Sequence, residues 1–154
     1  MSQSLVLAVD PGRRTGFALS NGRCDVYAAD VGDDGEAMAR WMLWLGTLIA
    51  DLHVTHLVIE RAFMSSSIRD GDFTVALIRA AHAVAWRHDV PRSEYAAVTV
   101  RKSILGQGRG TTDADRISAA RELGWVLTAD HAADAVLLLE HHMRVTAVVR
   151  GDGT

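Results

Sequence analysis

An apolar, strand-favouring run, Val6-Leu7-Ala8-Val9, ends abruptly in a carboxylate at Asp10, and Pro11-Gly12 then turns the chain. Residues 55–60, Thr-His-Leu-Val-Ile-Glu, repeat the pattern with Glu60 at the end. An acid at the end of a buried strand is costly, because desolvation disfavours its charged form unless a cation or hydrogen bonds compensate. Two such strands, separated by a helix, constrain the fold strongly: a right-handed crossover makes them parallel neighbours. Asp10 and Glu60 then stand side by side at the carboxyl edge, where open α/β sheets bind ligands. Two readings of Asp10 remain open on this pattern, a divalent-metal ligand or a turn cap bonded to its own backbone.

The intervening sequence supports that arrangement. After strand 5–10, residues 16–20 resume an extended pattern, and Asn21-Gly22 predicts a type I′ hairpin returning through 23–29. Asp33-Asp34-Gly35 opens a helix over 34–52, with Ala37, Trp41, Leu45, Leu48 and Leu52 at three- and four-residue steps. Trp41 and Trp44 read as core packing. A polar loop over 61–72 carries Phe63 and Met64, and an Ala- and Val-rich helix over 73–86 is stopped by His88-Asp89-Val90-Pro91. A fifth strand over 94–98 and a short helix over 100–105 follow, broken by Gly106-Gln107-Gly108-Arg109-Gly110. Thr111 to Asp115 supplies capping chemistry for a helix ending at Leu123-Gly124, and a last helix spans 131–144. The sum is an α/β fold, a five-stranded mixed sheet with helices on both faces.

The start of the last helix brings a third acidic group. In Asp130-His131-Ala132-Ala133-Asp134, His131 and Asp134 are three apart and Asp130 and Asp134 four apart, so each pair shares a helical face. Apolar residues 136–139 would pack on the sheet and hold that turn against the strand ends. Asp130 also suits an N-cap, and His131 a solvated first-turn position. Oxygen ligands from three separate segments suit Mg²⁺ or Mn²⁺, and paired cations ~3.5–4 Å apart support phosphodiester cleavage. His131 is placed to ligate the second cation or to take a proton from the attacking water.

Bulk properties narrow the class. The 154 residues are 49% hydrophobic and 23% charged with a formal net charge of -3, which fits one globular domain over 1–154. Any nucleic-acid surface must be a local cluster of cations, and Arg101, Lys102 and Arg109 surround the glycine-rich turn. The single cysteine, Cys24, excludes an intramolecular disulfide and reads as a strand residue in a reducing compartment. The start does not resemble a signal peptide and no run approaches ~18 apolar residues, so the expected location is cytoplasmic, away from membranes.

Taken in order, Asp10-Pro11-Gly12 with Gly16, Glu60 followed by Phe63, Glu94-Tyr95, the 100–108 segment and His131-Ala-Ala-Asp134-Ala135 resemble the RuvC-type Holliday-junction resolvases. The resemblance covers most of the chain. It implies an RNase H-like fold and a homodimer that uses divalent metal, Mg²⁺ or Mn²⁺ at two per subunit, to place symmetric paired nicks in four-way junction DNA. By position, Asp10, Glu60, His131 and Asp134 match the acidic set, His131 and Asp134 fitting better than Asp130 and Asp134. Phe63 falls where the family stacks an aromatic on an unpaired base, a role suited to an exposed ring. Arg101 lies where the family has a basic residue important for cleavage. Thr112 replaces a frequent second lysine, for which Arg109 is the candidate substitute. The helix over 73–86 corresponds to the family's dimer helix, with Val75 to Arg79 in place of a glycine-bearing segment. Branch-migration machinery is the further partner implied. Two alternatives stand beside this reading: an RNase H-fold nuclease acting on RNA precursors or other branched DNA, and a catalytically silent junction-binding module.

Overall fold

The computed structural model describes residues 4–61 and 68–151. Strands β1 (Val6–Asp10), β2 (Arg14–Leu19) and β3 (Cys24–Ala28) form an antiparallel meander. Helix α1 (Asp34–Leu52) crosses to β4 (His56–Arg61), and α2 (Ile68–Arg87) crosses to β5 (Arg92–Ala96). Helices α3 (Ala97–Leu105) and α4 (Asp113–Glu122), a single 3-10 turn at Asp130–Ala132, and α5 (Ala133–Gly151) complete the chain. The sheet order is β3-β2-β1-β4-β5, with β1, β4 and β5 parallel, which is the expected mixed five-stranded sheet.

Alternation along the central strands builds two cores. Leu7, Val9, Leu57 and Ile59 pack with Trp41, Leu45, Ile49, Leu77 and Val84 from α1 and α2. Val6, Ala8 and Val58 pack on the other face with Val136 to Leu139 of α5 and Val100 of α3. Because side chains alternate with a period of two, Asp10 shares the face of Val6 and Ala8, and Glu60 shares that of Val58. Both carboxylates therefore belong to the α5 side. Leu137, Leu138 and Leu139 are essentially fully buried, and each such side chain contributes roughly 1.5–3 kcal/mol relative to exposure. That burial anchors α5, and Asp134 with it, against the sheet.

Local chemistry sets the element ends. Asp33 caps α1, its carboxylate accepting from the Glu36 amide at 2.8 Å. Thr112 caps α4 in a reciprocal capping box with Asp115, as the Thr-Thr-Asp-Ala-Asp run predicts. The indole of Trp41 donates to Thr15 Oγ1 at 2.8 Å, and Trp44 stacks on Tyr27 with ring centroids 4.5 Å apart, so this pair is structural. Cys24 is buried in β3. Among the described residues, no helix is long and apolar enough to cross a membrane.

Several boundaries differ from expectation. A type I′ turn needs positive φ at both central residues, yet only Gly22, at 93°, has it. The Gly22 amide instead donates to Leu19 O and the Leu19 amide to Arg23 O, a wider turn with the glycine in the left-handed position. The fifth strand lies at Arg92–Ala96, because its parallel register with β4 is complete at Arg61 and Ala96. The β-branched run 98–100 is then helical, and Val100 is buried beneath α5. Helix α2 begins before residue 73, and α5 continues to Gly151 because no glycine or proline intervenes after Arg144.

Candidate active site

Val9 of β1 sits opposite Ile59 of β4, so Asp10 and Glu60 follow as neighbours at the carboxyl ends of adjacent parallel strands. Burial, then the charge of Asp134, push the Asp10 carboxyl up to about 7, against partial relief from Arg101 and Arg116. Glu60 is raised well above the ordinary carboxylate range by burial first, then by Asp10 and Asp134. These are like charges held together where solvent reaches them only in part. The turn beyond Asp10 is closed by a different residue: the Thr15 hydroxyl donates to Gly12 O at 2.9 Å and accepts from the Gly12 amide at 3.3 Å. Turn capping therefore falls to Thr15 and leaves the Asp10 carboxylate for the cluster.

Asp134 enters from the first turn of α5 and faces two arginines. Arg116 Nε lies 3.0 Å from Asp134 Oδ1, and an Arg101 terminal nitrogen lies 3.6 Å from the same oxygen. Arg116 also donates to the Thr111 carbonyl at 3.3 Å and pairs with Asp113. Arg101 is less committed, and its buried Nε has no hydrogen-bond partner among the described residues. The 3-10 turn that delivers Asp134 rests on β2 at Gly16, which pairs with Asp10. Among the described residues, no three His, Cys, Asp or Glu side chains form a ready-made metal group.

No family model matches the chain. It is 30% identical to the crossover junction endodeoxyribonuclease RuvC of Xanthomonas euvesicatoria pv. vesicatoria, over 97% of this chain and 94% of the relative. The chain belongs to the RuvC family. The RuvC of Xanthomonas campestris pv. campestris is 31% identical over the same shares. Among solved structures, Thermus thermophilus RuvC superposes with a TM-score of 0.71 at 17% identity, covering 87% of this chain and 90% of that one. The same protein in complex with a Holliday junction substrate gives 0.69 at 15% identity, covering 88% and 90%. The yeast mitochondrial Holliday junction resolvase gives 0.62 at 15% identity, covering 88% of this chain and 75% of that one. The RNase H-like architecture read from the sequence is thereby shown.

Within this RuvC fold, the structure brings Asp10, Glu60, Asp134 and Arg101 to one edge. His131 is exposed in the 3-10 turn, and the charges acting on Asp10 and Glu60 do not include it. Lys102 and Arg109 are exposed on either side of Gly106, outside the carboxylate cluster. Asp130 is not an N-cap: Ala129 occupies that position, and Asp130 makes an exposed ion pair with Arg121 at 3.8 Å. Phe63 lies outside the described residues. Sequence reasoning missed Arg116, looking to Arg109 for the second cation. The available signal was helical: Arg116 lies four residues before Ala120, the buried residue of an otherwise polar helix.

Proposed function

We propose that this chain resolves four-way DNA junctions by metal-dependent hydrolysis of phosphodiester bonds at the edge formed by Asp10, Glu60 and Asp134. The observation that carries the reading is the pair of half-buried carboxylates on adjacent strands, both driven toward protonation by partial desolvation and mutual repulsion. Holding them together destabilises the fold, and a cation between them offsets that cost. An all-oxygen donor set suits Mg²⁺ or Mn²⁺ at two per subunit, with Asp10 and Glu60 as the principal ligands and Asp134 completing the set. Bound there, such cations supply Lewis acidity and a water that ionises near neutral pH.

The protein's own groups supply orientation and charge. Arg101, with its Nε unmatched beside Asp134, reaches the scissile phosphate. Lys102 and Arg109 meet neighbouring phosphates around the glycine turn, giving local basicity to a chain whose net charge is -3. His131, exposed at the rim, takes the proton from the attacking water or completes the second cation site. Phe63 stacks on an unpaired base near the crossover.

Symmetric nicking calls for a two-fold enzyme. A groove of about 900 Å³ between α1 and α2 is lined by Met42, Leu43, Ala83 and Trp86. Leu43 is 72% and Trp86 78% exposed, an unusual amount of apolar surface for a free face, and a second copy of the chain covers it. Residues 1–154 act as one nuclease domain, in the cytoplasm.

The test is incubation with a labelled immobile junction, a matched duplex and a structured RNA, each with Mg²⁺, Mn²⁺ or EDTA. Paired symmetric nicks confined to the junction and abolished by EDTA are expected. Preferential RNA cutting, or binding without cutting under every condition, would overturn the reading.

A further inference from the structure

We propose that Arg116 is a positioning residue for the cation site, holding Asp134 by Oδ1 so that Oδ2 is the oxygen offered to a cation. The inference rests on the metal-site reading above.

Three observations carry it. The Arg116 side chain is only 12% exposed, against 23% for Asp134 and 25% for Arg101, although α4 is otherwise a polar surface helix. Its guanidinium is fixed in three directions, by Asp134 Oδ1 at 3.0 Å, by the Thr111 carbonyl at 3.3 Å and by Asp113. The approach of each arginine to Asp134 is to the same oxygen, Oδ1, and among the described residues no hydrogen bond to Oδ2 is formed. Because its terminal nitrogens are anchored to Thr111 and Asp113, the guanidinium stands at one fixed place beside Oδ1, which a point charge on a flexible stem would not do. The capping box at Thr112 and Asp115 fixes the first turn of α4, and with it the Asp113 and Thr111 anchors. Arg101, with one longer contact and an unmatched Nε, keeps the freedom a phosphate-binding group needs.

The sign of the effect separates positioning from simple charge. If Arg116 acted only as a cation beside three carboxylates, removing it would tighten divalent-metal binding. A positioning residue gives the opposite result, because Asp134 is then free to rotate away, and loss of such an outer partner typically weakens metal binding by about 10- to 100-fold.

The experiment is calorimetric titration of Mn²⁺ into DNA-free protein, comparing wild type with Arg116→Met and Arg116→Lys, and with circular dichroism in EDTA to establish folding. Both variants should bind Mn²⁺ at least about tenfold more weakly. Lysine should fail despite its charge, because one ammonium cannot hold the Thr111 and Asp113 anchors and stay beside Asp134 at once. A wild type that binds while Arg116→Met binds equally or more tightly overturns this inference alone. A wild type that takes up no Mn²⁺ overturns the metal-site reading and the inference together. Should the Arg116 variants not fold, Asp113→Ala decides: Asp113 is 87% exposed, so its loss spares the core while releasing one anchor of the guanidinium. Severalfold weaker Mn²⁺ binding in that variant supports the inference, and unchanged binding overturns it.

Discussion

Gly16 lies directly beneath the backbone carbonyl of His131: a Cβ at Gly16 would stand 2.3 Å from that oxygen and 3.3 Å from Ala132 Cα. Gly16 is also the residue paired with Asp10 across β1 and β2. The glycine thus sets how closely the turn carrying Asp134 approaches the strand carrying Asp10. Backbone atoms cannot swing aside as a side chain can, so Gly16→Ala must displace the 3-10 turn. Overpacking of this kind costs about 1–3 kcal/mol. Chemical denaturation should report that loss, and junction cleavage should fall even where the variant remains folded. Wild-type stability in Gly16→Ala would refute the close contact.

Removing one of the paired acids should separate catalysis from folding. Asp10→Asn and Glu60→Gln each eliminate one of two half-buried like charges, so the metal-free proteins should melt at higher temperature than wild type near neutral pH. Both should lose junction cleavage, and both should bind junction DNA at least as well, since a negative charge facing phosphate is gone. Thermal denaturation in EDTA and gel-shift titrations measure these effects. Retained cleavage in either variant would remove that residue from the cation site.

The same groups give the metal-free protein an opposed pair of pH dependences. Asp10 rises from 3.8 to about 7 on folding, so in that window the folded chain holds the extra proton and stability falls as pH rises. His142 falls from 6.5 to about 4, through burial and then the neighbouring His56 and His141, so its contribution is lost as pH drops below 6.5. Its ring stacks on His56 at 4.8 Å and its Nδ1 lies 3.1 Å from the Tyr95 hydroxyl. In EDTA the melting temperature should climb as pH is lowered from about 8 to about 6.5, each proton contributing at most ~1.4 kcal/mol per pH unit. Below that, the histidines should oppose the carboxylates and flatten the trend. Asp10→Asn should flatten the upper slope. Excess Mg²⁺ should invert it, because cation binding requires ionised carboxylates.

What the sequence made legible was whatever depends on period and order. Alternation in 6–10 and 55–60, joined by a helix, places Asp10 and Glu60 together without knowledge of any other contact. Asp134 follows from the apolar turn behind it. What stayed hidden depends on packing between distant segments. Arg116 is a site residue because α4 docks beside α5, and nothing within α4 specifies its partner. The run after Ala96 has strand propensity, yet the described pairing with β4 ends at Arg61 and Ala96 and the run is helical, so tertiary context overrides local preference. Asp130 has the residue type of a cap, but the 3-10 turn begins one residue earlier and turns that carboxylate toward Arg121.

Arg101 should report its phosphate contact through salt. Its Nε is buried without a partner among the described residues and its terminal nitrogen is 3.6 Å from Asp134, so the residue has donor capacity to spare. Arg101→Ala should weaken junction binding roughly uniformly across sequences and lower the slope of log K against log salt by about one. Fluorescence anisotropy across a salt series measures both. An unchanged slope would mean that Arg101 serves only as a partner for Asp134.

Trp86 offers a test of the two-fold that does not touch the reacting groups. It is 78% exposed at the end of α2, beside Leu43 across the α1–α2 groove, so Trp86→Glu removes no core contact and should leave monomer stability within about 0.5 kcal/mol. A charge in the middle of the proposed apolar contact between copies is costly to desolvate, and the proposed dimer should dissociate at micromolar concentration. Light scattering would show the change in mass. On a supercoiled plasmid carrying a cruciform, paired cuts give a linear product and independent cuts give nicked circles. The variant should therefore shift the product from linear to nicked while the chemistry of each cut persists. If Trp86→Glu keeps both its mass and its linear product, the two-fold lies on another face, and the apolar groove has a different occupant.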